Sequence, residues 1–487
     1  YSGPMSISFP EGIAKDTSNN QSSATVFTIG VNEPDKTGSQ QIVDVVDPIW
    51  KAENININHT NKQVTVTLSG TDKYYKSNSL AIGSIKVIVD GQEATSITKT
   101  LSTPTAITET RDGKTVQTGV KYILTLSNWE ETTKQTDKSK QFFEWSGTTK
   151  IEIAKGTITD ESGNTNKKQT FTLGDVDFIK PKIEKVSSSK GTDANGKGTE
   201  TIIFNVIDKY LDTTDLVTTD EISVYIDGEL VPTSPTTQIT RTLTKESNIT
   251  ATVNNTSKVV GHQYKLVLSN FEQTRSSINY DREYSDWSGN VRIKIAEGAV
   301  KDTNKPTPNK NAETYIDGDF VDFIKPNATY QYSESNIDYN GKTFTMVFDI
   351  TDKFYASGNL NVNDLTVTID GKVPNSSVGK SLTIEDRENT IHVTENGTTK
   401  TVKKVIGKRY TLTLSNLEQL QTKDATGNYI AYSGVIKVAI PKDKLVDSST
   451  NKNNDIVLTS GITIPGGTGN EEIVDVVDPL IEKLSSS

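Results

Sequence analysis

The residues of this chain best suited to chemistry are aspartates that return at fixed stations. Asp16, Asp160, Asp302 and Asp447 stand in Asn- and Ser-rich turns, and Asp44, Asp177, Asp322 and Asp475 each stand four residues before a proline. Carboxylates with Asn and backbone carbonyls beside them are the donor set of calcium, which takes about six to eight oxygens. The competing reading is turn chemistry, since Asp and Asn bond their own backbone in tight turns.

A second chemistry is an intramolecular Lys–Asn isopeptide bond. It needs a neutral amine facing an amide in an apolar core, with a carboxyl group nearby to carry protons. Lys73, Lys209 and Lys353 recur, each after an Asp, and Asn128, Asn270 and Asn416 recur with Glu130, Glu272 and Glu418 two residues on. Alternation carries each Asn and Glu to the inward face if the strand before them continues. If the strand stops, each Asn ends it in a turn and each Lys is a solvated loop residue.

Trp145, Trp287 and Tyr432, with Tyr74, Tyr210 and Phe354, would suit a sugar-stacking platform, but fixed places in every repeat favour packing in or at the core. The three histidines, His59, His262 and His392, share no repeat position. His262 falls within a strand motif and reads as a solvated strand residue. Gly-x-Ser-x-Gly, His-Glu-x-x-His and glycine-rich phosphate loops are absent, so the sequence is read as no enzyme.

These residues must be held by elements, and the elements repeat. Gly119-x-x-Tyr122-x-Leu124-x-Leu126-Ser127-Asn128-x-Glu130 returns from Gly261 to Glu272 and again from Gly407 to Glu418. A period of roughly 145 residues is too long for a solenoid unit and right for whole domains in tandem. Ile42-Val43-Asp44-Val45-Val46-Asp47-Pro48 recurs as Ile473 to Pro479, and Asp177-Phe178-Ile179-Lys180-Pro181 as Asp322 to Pro326. These strings divide the chain into the last third of a domain at 1–48, repeats at 49–181, 182–326 and 327–479, and the start of another at 480–487. Proline fixes φ and extends its neighbour, so each junction is expected to be short and stiff.

Within a repeat, alternation such as Val64-Thr-Val66-Thr-Leu68 marks a strand with one buried face. Asp90-Gly91, Asp227-Gly228 and Asp370-Gly371 each end an apolar alternation, a strong hairpin signal. A polar stretch of variable length follows each one and is the natural seat of specific function. No segment longer than about twelve residues keeps a helical period. The expected fold is all-β: tandem immunoglobulin-like β-sandwiches in an elongated rod.

A tyrosine three residues after a glycine, followed by alternate leucines, resembles the tyrosine corner of immunoglobulin-like sandwiches. Together with the turn Asp160-Glu161-Ser162-Gly163-Asn164, the repeats resemble bacterial Ig-like domains of cell-surface adhesins and stalk proteins. That resemblance implies a secreted, wall-attached protein of a Gram-positive bacterium. Its implied partner is a host extracellular protein, including an immunoglobulin, a host glycan, or a second copy in a surface layer or filament.

Composition agrees. The chain has 487 residues, 33% of them hydrophobic, no cysteine and a formal charge of -10. The missing cysteine excludes disulfides, thiolate zinc and thiol catalysis. The acidic balance argues against nucleic acid. No apolar run approaches the roughly 18 residues of a spanning helix, so no membrane insertion is expected of this segment.

Overall fold

The computed structural model describes residues 2–32, 41–129, 145–232, 239–253, 256–271, 287–304, 307–356, 358–395, 398–417, 425, 432–460 and 473–479. Among these the chain is all-β, with strands in several separate sheets and helix only as single 3-10 turns. Among the described residues no helix is long and apolar enough to cross a membrane.

Each repeat builds two main sheets from antiparallel strands, and the first adds a two-stranded sheet of Tyr75–Asn78 and Ile158–Asp160. In residues 49–181 one sheet has the order Thr98–Leu101, Lys114–Ser127, Gln63–Thr71, Ile49–Asn58; the other runs Gln169–Val176, Gly147–Ile153, Ile85–Val89, Gln92–Glu93. In 182–326 the first sheet is Lys182–Thr192, Gly198–Ile207, Thr256–Ser269, Thr240–Val253, and the second is Glu229–Leu230, Ile222–Ile226, Gly289–Ile295, Thr314–Val321. The third repeat follows with Asn327–Tyr330, Thr343–Thr351, Thr398–Ser415 and Gly379–Glu395 against Thr366–Ile369, Gly434–Ile440 and Ile456–Thr459.

Alternation decides what is buried. Val64, Val66 and Leu68 point inward from one sheet of the first repeat and meet Ile85, Val87, Ile151 and Ile153 from the other in one core cluster. The second and third repeats have their own clusters built the same way. Two sheets sharing one apolar core is an arrangement compatible with a β-sandwich.

The Gly-x-x-Tyr motif follows from close backbone approach. A Cβ on Gly119, Gly261 or Gly407 would stand 2.3, 2.4 or 2.0 Å from the carbonyl oxygen of Gly70, Val206 or Ile350. No side chain fits there. Three residues on, Tyr264 stacks on Phe204 and Tyr410 on Phe348, both with centroids 5.3 Å apart. The hydroxyls differ from a tyrosine corner, whose bond reaches only a few residues upstream. Tyr264 accepts from the Val217 amide, Tyr410 accepts from the Leu360 amide, and Tyr122 donates to Asn78, so each pins a distant loop.

The polar, variable stretch forms long hairpins. Thr240–Val253 pairs with Thr256–Ser269, and Gly379–Glu395 with Thr398–Ser415. In the first repeat the outgoing arm is broken into Thr98–Leu101 and Thr105–Arg111, with Pro104 in the gap. The described residues before 49 include one small sheet in which Ile7 and Phe9 are about 40% exposed, whereas Ile151 and Ile153, at the same distances from the Ser-Gly step, are fully buried. Among the described residues no second sheet faces that small one.

One acid interrupts an apolar face. Glu200 points into the second repeat where the first and third place Val64 and Phe344, and it is fully buried. Its Oε1 accepts from the Asp319 amide at 2.8 Å, while Oε2 has no hydrogen-bond partner. Burial, with a smaller push from Asp319, raises its pKa from the ordinary 4.5 to about 7. Between those values the folded protein holds a proton that the unfolded chain has released. Stability should therefore fall, by about 3 kcal/mol, as pH rises through that window. Glu200→Gln is expected to remove this slope in denaturant unfolding at about pH 5 and pH 8; an unchanged slope would show that Glu200 is not its source.

Candidate functional site

The recurrent acids come together where one repeat meets the next. Asp44, Asp72 and Asp160 form one group, Asp177, Asp208 and Asp302 a second, and Asp322, Asp352 and Asp447 a third; in each, one oxygen per residue lies within 4.8 Å of the others. The first member comes from the junction string, the second from the loop after the inner strand, and the third from the Asn-rich turn. Six of the eight aspartates singled out by sequence are thus paired across the junctions. Asp16 and Asp475 stand outside the groups: exposed Asp16 accepts from Ser18 and Asn20, and Asp475 from the Val477 amide. Sequence reading missed Asp72, Asp208 and Asp352, although each directly precedes a lysine already marked.

Local backbone bonds aim these carboxylates. Asp44, Asp177 and Asp322 accept from the amide two residues ahead, as do Asp72, Asp208 and Asp352. Asp160 accepts from the amide and side chain of Asn164, Asp302 from those of Asn309, and Asp447 from those of Asn451. The same asparagines donate to the carbonyls of Asp44, Asp177 and Asp322. Turn chemistry and acid clustering are therefore two uses of one set of residues. Burial first, then the charges of Asp44 and Asp160, push Asp72 up, and burial does the same to Asp302. At an effective dielectric of about 20, each like-charge pair at this spacing repels by about 3 kcal/mol.

The junction lysines face the other way. Lys209 is 5% exposed, and its Nζ donates to Asp90 Oδ2 at 2.7 Å and to the Ser146 carbonyl, both in the preceding repeat. Lys353 is equally buried and repeats the contact with Asp227 Oδ2 at 2.9 Å and the Ser288 carbonyl. The acceptors are the Asp-Gly turns, whose positive φ at both residues suits a tight hairpin. Their second oxygens cap the amides of Thr148 and Asn290. A Cβ on Gly147 or Gly289 would lie 2.3 or 2.1 Å from those carboxylates, so the Trp-Ser-Gly step needs its glycine.

Aromatic rings complete the contact. Each lysine lies over its own neighbour's ring, Lys73 on Tyr74, Lys209 on Tyr210 and Lys353 on Phe354. Arg111, Lys258 and Lys404 from the hairpins reach the same rings. Trp287 and Tyr432 are buried, and Trp145 is half-buried with its indole N–H on Ser96. Phe178 sits in the first core, edge-on to Trp129 and His59.

The inward turn expected of Asn128 does not occur. Alternation ends at Leu126; Asn128 has φ 63°, is exposed, and is followed by buried Trp129. Asn270 and Asn416 likewise take positive φ. Glu130, Glu272 and Glu418 lie outside the described residues, as does the side chain of His392. His262 corrects the expectation of a solvated residue. It is buried, its Nε2 lies 3.3 Å from the Thr213 carbonyl, and burial with the nearby Lys245 holds its pKa below the usual histidine range. It stands two residues before Tyr264, on the inward phase that Leu266 and Leu268 continue, so the alternation of its strand places it inside.

The fold and the junctions define an all-β protein of several sheets with repeated acidic and lysine contacts. Compared with known proteins, no family model matches the chain and no curated protein matches it.

Lys209→Met would leave Asp90 buried without its cation, at a cost of about 3–5 kcal/mol. Amide exchange at Thr148 and Tyr210 should accelerate accordingly in the full chain; unchanged protection would mean that the pair does not hold the junction.

Proposed function

We propose that this chain is a spacer of tandem Ig-like β-sandwiches, the stalk or adhesive region of a bacterial cell-surface protein. Its work is mechanical: it holds a binding surface away from the cell wall, toward a host protein, a glycan or a neighbouring cell. The observation that carries this reading is the repeated, buried contact of Lys209 with Asp90 and Lys353 with Asp227. A junction that buries an ion pair resists bending in a way that a free linker does not. The Pro at each junction string adds stiffness.

The absence of cysteine leaves packing and polar contacts to bear load. A second reading, a ligand-binding module, is favoured by the unequal hairpins, whose paired arms differ in length from repeat to repeat.

Small-angle scattering of the full chain should give a long, narrow particle whose largest dimension is set by the repeats in line. A compact particle would overturn the spacer reading. Saturable binding of a glycan or host protein, lost when one hairpin is trimmed, would favour the binding module. Concentration-dependent growth of the particle would point to self-assembly.

A further inference from the structure

Three carboxylates gathered in a buried place need a positive charge or a proton to stay there. The first cluster shows the need most directly. Asp44 is only 7% exposed, its Oδ1 accepts from the Val46 amide at 3.0 Å, and its Oδ2 has no hydrogen-bond partner. That carboxylate is held beside oxygens of Asp72 and Asp160, all within 4.8 Å of one another. Arg111 is a cation that Asp72 senses, yet it lies over the Tyr74 ring and pairs with Glu109.

We propose that each of the three clusters binds one calcium ion, so that the chain carries three. The donors are all carboxylate oxygens, hard ligands that suit calcium or magnesium and not zinc or copper. Three carboxylates, each giving one or two oxygens, supply about three to six of calcium's ligands, and water supplies the others. Magnesium demands a near-ideal octahedron and keeps several of its waters, which fits a fixed, buried set of three carboxylates less well.

The recurrence is itself informative. The second and third clusters have the same origin as the first: a junction aspartate, an aspartate before the lysine, and an aspartate of the Asn-rich turn, at the same 4.8 Å limit. In each the turn aspartate is held by an asparagine that also ties down the junction carbonyl. An ion at this place takes one ligand from the string that leaves a repeat and two from the repeat that follows. It therefore adds a tie to a junction that already has the covalent link and the asparagine-to-carbonyl bond. This inference is independent of the spacer reading, because the number of ions bound does not depend on the shape or purpose of the chain.

The test uses the full chain stripped of metal with a chelator and titrated separately with calcium and magnesium chloride by calorimetry, with thermal unfolding alongside. The expected result is saturable binding of three calcium ions, at least tenfold tighter than magnesium, and an unfolding temperature that rises with calcium. Asp208→Asn keeps an oxygen to accept from the Tyr210 amide and removes one charge. It should lower the count from three to two, whereas Asp16→Asn, outside the clusters, should leave three. No saturable calcium binding at millimolar concentration, a count unchanged by Asp208→Asn, or a site lost with Asp16→Asn would each overturn the proposal. Should Asp208→Asn fail to fold, Asp72→Asn and Asp352→Asn make the same exchange in the other clusters. Native mass spectrometry of the unaltered chain then counts the ions directly, and any count other than three decides against it.

Discussion

A buried ammonium group needs an anion, and in this chain the anion belongs to the neighbouring repeat. Lys209 and Lys353 are almost wholly buried, and each finds its carboxylate at the tip of an Asp-Gly hairpin in the repeat before it. Much of the local design follows. The hairpin must be tight enough to present the Asp, the strand beside it must lack a Cβ at Gly147 or Gly289, and the Asp must spend its other oxygen on the amide of that strand's second residue. The junction string is tied in both directions. Phe178 turns back into the core of the repeat it closes, while Asp177 reaches forward to Asp208 and Asp302.

The period, the strands and the Asp-Gly turns were legible in the sequence because each is a local pattern. Alternation of apolar residues and a two-residue turn signal need no knowledge of distant neighbours. The membership of the acid clusters was only half legible. Asp44 and Asp160 stand 116 positions apart by their numbers in the chain, and nothing short of the fold says that they meet, or that Asp72 completes the set. Lys209 stood out as a recurrent residue, but its carboxylate lies in another repeat, where Asp90 reads simply as a turn former.

Two single residues escaped for a different reason. His262 stands on the inward phase of Tyr264, Leu266 and Leu268, a station that buried Val120 fills in the first repeat, and a polar side chain beside a polar run reads from pattern as outward. Glu200 sits at an apolar station of the inner strand, where pattern reading expects Val or Phe. Both positions lie in the second repeat alone.

The contact between repeats also has a direction. Each repeat offers a lysine at one end and a hairpin aspartate at the other, so the interface is heterologous, as in open assemblies that never close on themselves. Lys209 and Lys353 make the same contact with the repeat before them. The identical strings Ile42 to Pro48 and Ile473 to Pro479 then become more than boundaries. In-frame recombination between the DNA segments that encode them would delete or duplicate whole repeats while rebuilding a complete junction each time. The length of such a protein can thus drift between lineages by whole units, with no interface to be invented anew.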